Sequence, residues 1–353
     1  MLKVDPTVQT LTVAGIIAIS ISVLVSGTLS SHSQDRSPVQ LAAGATKGTW
    51  AASATGRVEP KEGEIRIVAQ SPGEILEVAA KTGDKVQSGD LLVRLDDSDA
   101  QAKLAAALAE EAVRVLERDE EIAKGAALDR RNAEDAAANA ERAVYGAQTA
   151  LDETARKIRA GAAAAGELTS ARTKLADAQA KLVSERAALA QVAARSDMPL
   201  PTRLESSLTL ARSDVTQVLN AIDRARVRAP GDGTILNVWA KQGEVAVTSP
   251  DAPQAMFGDI GALRVRTEVE ERDVTKIRIG QKAIVKADAF GNQEFSGTVT
   301  SIAPALGPQR ITSRGPRRPN DVEVLEVMVV LDGQPPLLTG MRVDVFFKSD
   351  AAS

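Results

Sequence analysis

Residues 64–97 read EIRIVAQSPGEILEVAAKTGDKVQSGDLLVRLDD. Short β-branched and apolar runs alternate with Pro72-Gly73, Gly83-Asp84 and Gly89-Asp90, the pattern of short strands joined by tight turns. Residues 227–246, VRAPGDGTILNVWAKQGEVA, repeat the pattern, with Pro230-Gly231, Gly233 and Gly243 in the same roles. Residues 98–226 separate the two stretches and have a different character altogether.

That intervening segment is rich in Ala, Glu, Arg and Leu: 33 of the chain's 60 alanines fall in residues 98–197, too many for the core of a compact globule. It predicts helix, with Asp96, Asp97, Ser98 and Asp99 supplying N-caps and acidic first-turn charge. No Pro interrupts residues 98–160, so one helix of about 95 Å is expected there. Gly161 and Gly166 supply a helix stop and a turn. On either side, Val144, Leu151 and Ile158 recur every seven residues, as do Leu168, Leu175, Leu182 and Leu189, the spacing of a coiled-coil seam. Folding the arms antiparallel about Ala163 sets Ile158 against Leu168, Leu151 against Leu175 and Val144 against Leu182, each pair of numbers summing to 326. The same register sets Leu108 against Val218, Leu104 against Ile222, and Ser98 against Arg228, where the two half-motifs stop and start. Pro199 and Pro201 break the return arm. This is either a kink or a loop dividing tip-side from base-side helices, with return helices expected near 167–196 and 202–226.

The remaining composition excludes much chemistry. The chain has no Cys and one His, His32, so zinc sites, thiol nucleophiles, disulfides and Ser-His-Asp triads lack their residues. Neither GxxxxGK(S/T) nor GxSxG occurs. A net charge of −4 with eight aromatics disfavours nucleic-acid binding. No cofactor or metal is expected, and the protein reads as a non-enzyme.

At the N-terminus, residues 6–31 carry no charge, and residues 8–29, VQTLTVAGIIAISISVLVSGTL, are long enough to cross a ~30 Å hydrocarbon core. Lys3 precedes them and the next basic residue is Arg36, which places the N-terminus in the cytoplasm by the positive-inside tendency. A cleaved signal peptide is the alternative, but the apolar stretch is long and no A-x-A site follows it at once. Residues 32–47 read as a polar linker. Residues 257–305 alternate apolar strands with Gly280, Gly291 and Gly297 turns and one helical cue at 271–276, as in a small antiparallel barrel. The strand of residues 48–60 finds no partner nearby, so it is expected to join the C-terminal strands.

The two half-motifs resemble the halves of a lipoyl or biotinyl carrier domain. The modified-lysine turn of a true carrier is missing, and Lys81 and Lys85 are not at its position. The order of span, strand, half-motif, Ala-rich hairpin, half-motif and barrel is similar to the HlyD-type membrane fusion proteins, or periplasmic adaptors. The most specific pieces are SPGEILEVAAKTGDKVQSGDLLVRLD, VRAPGDGTILNV and VEERDVTKIRIGQKAIVKADAF. The anchor and the interrupted return arm resemble the DevB-like subgroup, which works beside an ABC exporter.

The resemblance implies a mixed α+β multidomain fold. Its parts are a cytoplasmic stub and transmembrane helix (1–31), a linker (32–47), and a discontinuous membrane-proximal β domain (48–63 plus 306–350). A lipoyl-like β-sandwich (64–97 plus 227–248), a helical hairpin (98–226; tip 161–166, break 197–202) and a β-barrel (249–305) complete it. It further implies a single-pass protein of the bacterial inner membrane with most of the chain periplasmic. A homo-hexameric ring would link an ABC transporter, or alternatively a proton-driven RND-type pump, to a TolC-like outer-membrane channel. ATP hydrolysis in the partner would drive export through a conduit that the adaptor seals. A carrier subunit or a structural coiled coil are the competing classes, and the second leaves the split sandwich unexplained.

Family tips carry Arg-x3-Leu-x6-Ser followed by Glu-Leu. Arg159 and Ser170 have the Arg-to-Ser spacing, with Ala163 at the Leu position. A register set by Gly161-Ala162 and Glu167-Leu168 gives Glu153, Lys157 and Ala164 instead. Arg156, Lys157, Arg159, Ala163, Ala164, Glu167 and Ser170 are the expected channel contact. The basic residues there would equally suit a solvated helix end. Arg310, Arg314, Arg317 and Arg318 gather in a Gly/Pro loop, which reads either as solvated or as a contact with the transporter or with anionic headgroups.

Overall fold

The computed structural model describes residues 50–291, 293–311 and 323–349. The expected span (8–29), the linker, His32, Arg314, Arg317 and Arg318 lie outside the described residues. Among those described, no helix is long and apolar enough to cross a membrane.

In chain order, β1 (Trp50–Pro60) precedes β2 (Ile65–Ile67), β3 (Gly73–Val78), β4 (Lys85–Val86) and β5 (Leu91–Leu95). Four helices follow: α1 (Ser98–Asp119), α2 (Ala126–Arg159), α3 (Ala165–Ala193) and α4 (Arg203–Arg224). Then come β6 (Arg226–Arg228), β7 (Gly233–Val238), β8 (Val245–Ala246) and β9 (Ala255–Gly258). The last strands are β10 (Leu263–Glu270), β11 (Lys282–Lys286), β12 (Glu294–Pro308), β13 (Glu323–Leu331) and β14 (Arg342–Lys348).

The two half-motifs fold into one sandwich of two four-stranded sheets, β2-β9-β7-β4 and β6-β5-β3-β8. Each half lends a short strand to the other, β4 to β7 and β8 to β3, so neither half closes alone. Ile75, Leu92, Leu95, Ile235 and Phe257 fill the core. Gly233 lies so close to the Phe257 ring that a Cβ there would sit 2.6 Å from it. The sandwich runs further than the expected boundary at 248. β9 pairs with both β2 and β7, because Ala255 and Phe257 complete its apolar core.

β5 and β6 are neighbours, with Leu91 opposite Arg228 and Arg94 opposite Arg226. Leu95 N–H donates to the Ala225 carbonyl at 2.8 Å. The two ends of the helical insertion therefore leave the sandwich side by side, the geometry an antiparallel hairpin requires.

Two β domains were expected beyond the sandwich, a barrel (249–305) and a membrane-proximal domain (48–63 plus 306–350), and the described residues form one. β1, β10, β13, β12, β11 and β14 close a single six-stranded antiparallel barrel. β1 is shared along its length: Val58 pairs with Val265 of β10, and Ala54 with Val345 of β14. The physical reason is the inward row of Val58, Val265, Val269, Val285, Val327, Val329, Val345 and Phe347, one continuous core drawn from the segments of both expected domains. Closure also leaves no free sheet edge. The helical cue at 271–276 is a 3-10 turn, Glu271–Lys276.

The first helical arm is not continuous. It stops at Asp119 and resumes at Ala126. Asp119, Glu120 and Glu121 place three carboxylates at a helix C-terminus, where the dipole disfavours them. Gly125 has φ +58°, a left-handed conformation that only glycine adopts readily. The return arm is interrupted at the same level, between α3 and α4, around Pro199 and Pro201.

Candidate functional site

The helices form two antiparallel pairs, α1 with α4 and α2 with α3, and the second pair is folded back alongside the first. Long-range contacts establish this. Arg118 near the end of α1 binds Asp135 near the start of α2 at 2.7 Å. Arg142 binds Glu111 at 2.7 Å, and Gln101 donates to the Tyr145 hydroxyl at 3.2 Å. At the base, Arg228 binds Asp152 at 2.9 Å and the Arg226 guanidinium sits 5.6 Å over the Tyr145 ring. Along one continuous helix, Arg118 and Asp135 would lie about 25 Å apart. The expected 95 Å rod is thus a four-helix bundle of about half that length.

Within each pair the register stays close to the one the heptads predict. Glu141 binds Arg186 and Asp129 binds Arg195, with numbers summing to 327 and 324. In the α1–α4 pair, Leu104 and Ile222 meet in one buried cluster, and Glu111 binds Arg212. Of the seam residues in the outer pair, Leu151 is buried, while Val144, Ile158, Leu168, Leu175 and Leu182 are half-buried.

Folding over moves the turn of residues 161–166. It was expected at the free end of a rod; it lies instead beside the lipoyl-like sandwich. Arg159 binds Glu77 of β3 at 2.8 Å, and Arg172 binds Asp90 at 2.8 Å. Arg156 and Lys157 pair with Glu153 on their own helix at 2.6 and 3.8 Å. Ala163 is half-exposed, while Ala164, Glu167 and Ser170 are exposed. Glu167 accepts the Ala164 N–H at 3.2 Å, capping α3. The seven proposed tip residues therefore share one end of α2–α3, but the two base-ward ion pairs hold that end against the sandwich. The ends of the bundle away from the sandwich are residues 120–125 and 194–202, which present Ile122 and Leu200 almost fully to solvent.

That far end is built around Glu205, which is 3% exposed. Its carboxylate accepts from Arg130 and Arg131, each at 2.6 Å, and from the Thr202 N–H at 2.8 Å. Arg131 also donates to the Glu121 carbonyl at 2.7 Å, capping the broken end of α1, and Arg130 reaches the Pro199 carbonyl. Sequence reasoning missed this cluster. Its signals were the capping-box spacing of Thr202 and Glu205 directly after the two prolines, and Glu111 and Arg118 continuing the seven-residue row of Leu104. Among the described residues, no group of His, Cys, Asp and Glu is arranged to hold a metal ion.

A family profile described as the RND MFP barrel-sandwich hybrid domain matches residues 63–257, more than half of the chain, and one described as a YknX-like β-barrel domain matches residues 263–345. The chain is a membrane fusion protein. Members of this family are adaptors, not enzymes. Similar proteins include the multidrug resistance protein MdtN of Escherichia coli, 28% identical over 69% of this chain and 71% of its own length. The multidrug export protein EmrA of E. coli is 26% identical over 69% of this chain, and the macrolide export protein MacA of Yersinia pestis 24% over 73%. This membrane fusion protein spans 61% and 59% of the lengths of those two. Among solved structures, MacA from Actinobacillus actinomycetemcomitans aligns over 84% of this chain and 78% of its own, with 18% identity and a TM-score of 0.48. A MacA–MexA chimera carrying the Pseudomonas aeruginosa MexA α-hairpin aligns over 84% and 80%, also with 18% identity and a TM-score of 0.48.

In this membrane fusion protein the basic loop is tethered at its first residues. Glu268 of the barrel accepts the N–H of Arg310 at 2.9 Å and that of Ile311 at 3.0 Å.

The charge network is expected to lend the bundle of this membrane fusion protein stability that acid removes. Burial pushes the Asp135 carboxyl up, but hydrogen bonds from Arg118 and Arg212 outweigh it and hold the group below the usual carboxylate range. Burial likewise pushes Glu205 up, and Arg131, the Thr202 N–H and Arg130 bring it below its ordinary value. Glu134 goes the other way, raised by burial against the pull of Arg130 and Arg212. A carboxylate whose pKa is lower folded than unfolded adds stability that is complete above the ordinary value, about 4. That stability is lost as pH falls through the folded value. The stability gap between the parent chain and Asp135→Asn is therefore expected to be widest at neutral pH and to close below about pH 4. Urea titrations at a series of pH values measure it, and a gap that stays constant down to pH 3 would contradict the assignment.

Proposed function

We propose that this chain is the adaptor subunit of a tripartite export system, joining an inner-membrane transporter to a TolC-like outer-membrane channel. The observation that carries the reading is a sandwich whose two halves are joined by paired helices rather than by a modified-lysine turn. A carrier domain needs a short mobile turn at that point. A connector needs a stiff element rising from a closed base, and the adjacent β5 and β6 provide one. The barrel, which takes strands from both ends of the described chain, suits the membrane-proximal position, with residues 8–29 as the inner-membrane anchor and the bulk of the chain periplasmic. The relatives' names as multidrug and macrolide export proteins support export as the process.

An ABC transporter is the partner we favour, because the apolar N-terminal segment and the interrupted return arm resemble the DevB-like subgroup. A ring of six copies is the expected assembly. The Gly/Pro loop with Arg310, Arg314, Arg317 and Arg318 is its proposed contact with the transporter or with headgroups. The test is capture of the full-length chain from its own membranes after crosslinking from position 317. Recovery of an ATP-hydrolysing permease complex is expected, with export lost when that ATPase is inactivated. Recovery of a proton-driven pump, with export abolished by a protonophore, would replace the ABC partner with the alternative one. Intact-mass analysis showing a lipoyl or biotinyl group on a lysine would overturn the adaptor reading itself.

A further inference from the structure

We infer that the four-helix bundle is the folded-over form of a hairpin that straightens at residues 120–125 and 194–202, swinging the α2–α3 pair away from the lipoyl-like sandwich. Four observations converge on this. The first is register. The α1–α4 and α2–α3 pairs keep nearly one register, with contacts summing to 323 at Glu111–Arg212 and 327 at Glu141–Arg186. A bundle that never straightens has no need to carry a common register through both pairs, whereas a hairpin that does straighten requires it.

The second is the nature of the contact between the pairs. Apolar seams lie within each pair, while the contact between pairs is largely ionic. Between the helix pairs it comprises Arg118–Asp135, Arg142–Glu111, Arg212–Asp135 and the buried Arg130 and Arg131 on Glu205, with Tyr145 packed on the α1–α4 cluster, while Arg228–Asp152, Arg159–Glu77 and Arg172–Asp90 tie the α2–α3 pair to the sandwich. The partly exposed pairs at the turn end, Arg159–Glu77 and Arg172–Asp90, weaken with salt, whereas the buried ones around Arg118, Glu111 and Glu205 are screened much less. The third is incomplete packing. Open grooves of about 540 and 280 Å³ run along this contact, lined from both pairs by residues including Glu141, Arg212 and Gln217 in one and Tyr145, Leu182 and Ile222 in the other. Among the described residues, five buried side-chain atoms lack a hydrogen-bond partner, and three of them, Arg130 Nε, Gln148 Nε2 and Arg226 Nε, belong to residues of the helical domain and its base. Unmet buried donors cost free energy that an opened form recovers from water.

The fourth is that both joints fall at the same level of the two arms, one at a left-handed Gly125 and one at Pro199 and Pro201. Opening breaks the ion pairs between helix pairs yet leaves every pairing within a pair in place. At 1.5 Å per residue, the 34-residue α2 would carry the turn of residues 161–166 by roughly 100 Å, from the sandwich to the end of a rod about twice as long. That this reach serves contact with an outer-membrane channel rests on the adaptor reading; the opening itself does not.

The chain has no cysteine, so labels can be placed without background. Ser88 and Ser170 are exposed and each lies two residues from a partner of the Asp90–Arg172 pair. In the purified full-length chain carrying Ser88→Cys and Ser170→Cys, donor and acceptor dyes are expected to give a dominant high-transfer population at low salt. A low-transfer population should grow several-fold in about 1 M salt, where the Debye length is about 3 Å. Adding Arg159→Gln and Arg172→Gln, and in a further variant Glu205→Gln to weaken the buried cluster at the joint, should enlarge the low-transfer population at low salt. A single high-transfer population under all these conditions would overturn the opening, and a single low-transfer population would overturn the folded-over form. A chain locked by a short bis-maleimide crosslink between Glu77→Cys and Arg159→Cys, whose parent side chains meet end to end, then separates the two readings. If transfer shows opening but the locked chain still exports, the hairpin opens for some purpose other than the proposed bridge.

Discussion

Replacing Glu205 with alanine is expected to destabilise the helical domain by about 3–5 kcal/mol, the usual cost of breaking a buried ion pair by removing one partner. The carboxylate satisfies Arg130, Arg131 and the Thr202 N–H together, and both guanidiniums are buried. Their charges would be stranded in a space too enclosed for water to compensate fully. Arg131 would also lose the partner that aims it at the Glu121 carbonyl, so the broken end of α1 should fray. Glu205→Gln separates the two roles. The amide can still accept the Thr202 N–H and preserve the capping box, but it cannot neutralise two cations. Denaturant unfolding followed by helical circular dichroism should rank the parent above Glu205→Gln and Glu205→Gln above Glu205→Ala. Equal stability of the parent and Glu205→Ala would remove the cluster from its place at the centre of the fold-over.

The second large effect belongs to the barrel. Phe347 on β14 is fully buried and sits opposite Ala52 of β1 on one side and Ala283 of β11 on the other. Phe347→Ala should cost about 3–5 kcal/mol, because small neighbours on both flanks cannot move in to fill the space. One closed barrel makes a sharper claim than the size of the loss. Hydrogen-exchange protection should fall together in β1, β11 and β14, although β1 is more than two hundred residues from β11 in sequence. Loss of protection in β11 and β14 with β1 untouched would mean that the N-terminal strand belongs to a separate folding unit. The sandwich, with its own core around Ile75, Leu92 and Ile235, should keep its protection in either case.

Legibility in the sequence followed the range of the forces involved. The half-motifs were readable because Pro72-Gly73, Gly83 and Gly233 mark turns locally, and a strand that alternates between turns reports its own period. The pairing of the arms was readable for the same reason: Leu151, Leu168 and Leu175 repeat at a spacing that needs no knowledge of the rest of the chain. The break in the first arm was half-written in Asp119, Glu120, Glu121 and Gly125, a subtler signal than the two prolines opposite. The channel-facing residues were inferred from the place of a turn in a straight rod, and that inference moved with the rod when Arg159 was found on Glu77.

By itself the sequence determined which stretches become strand and which helix apart from the break after Asp119, how the two arms pair and in what register, and that no Cys and a single His are on hand for thiol, zinc or triad chemistry. These follow from residue type and short-range spacing. Only the tertiary structure decided that the two helix pairs lie side by side and that β1 closes the barrel with β10 and β14. Charges such as Arg118 and Asp135 carry no periodic signature that names their partner. A lone strand such as β1 buries its alternating face on whichever edges the completed fold leaves open.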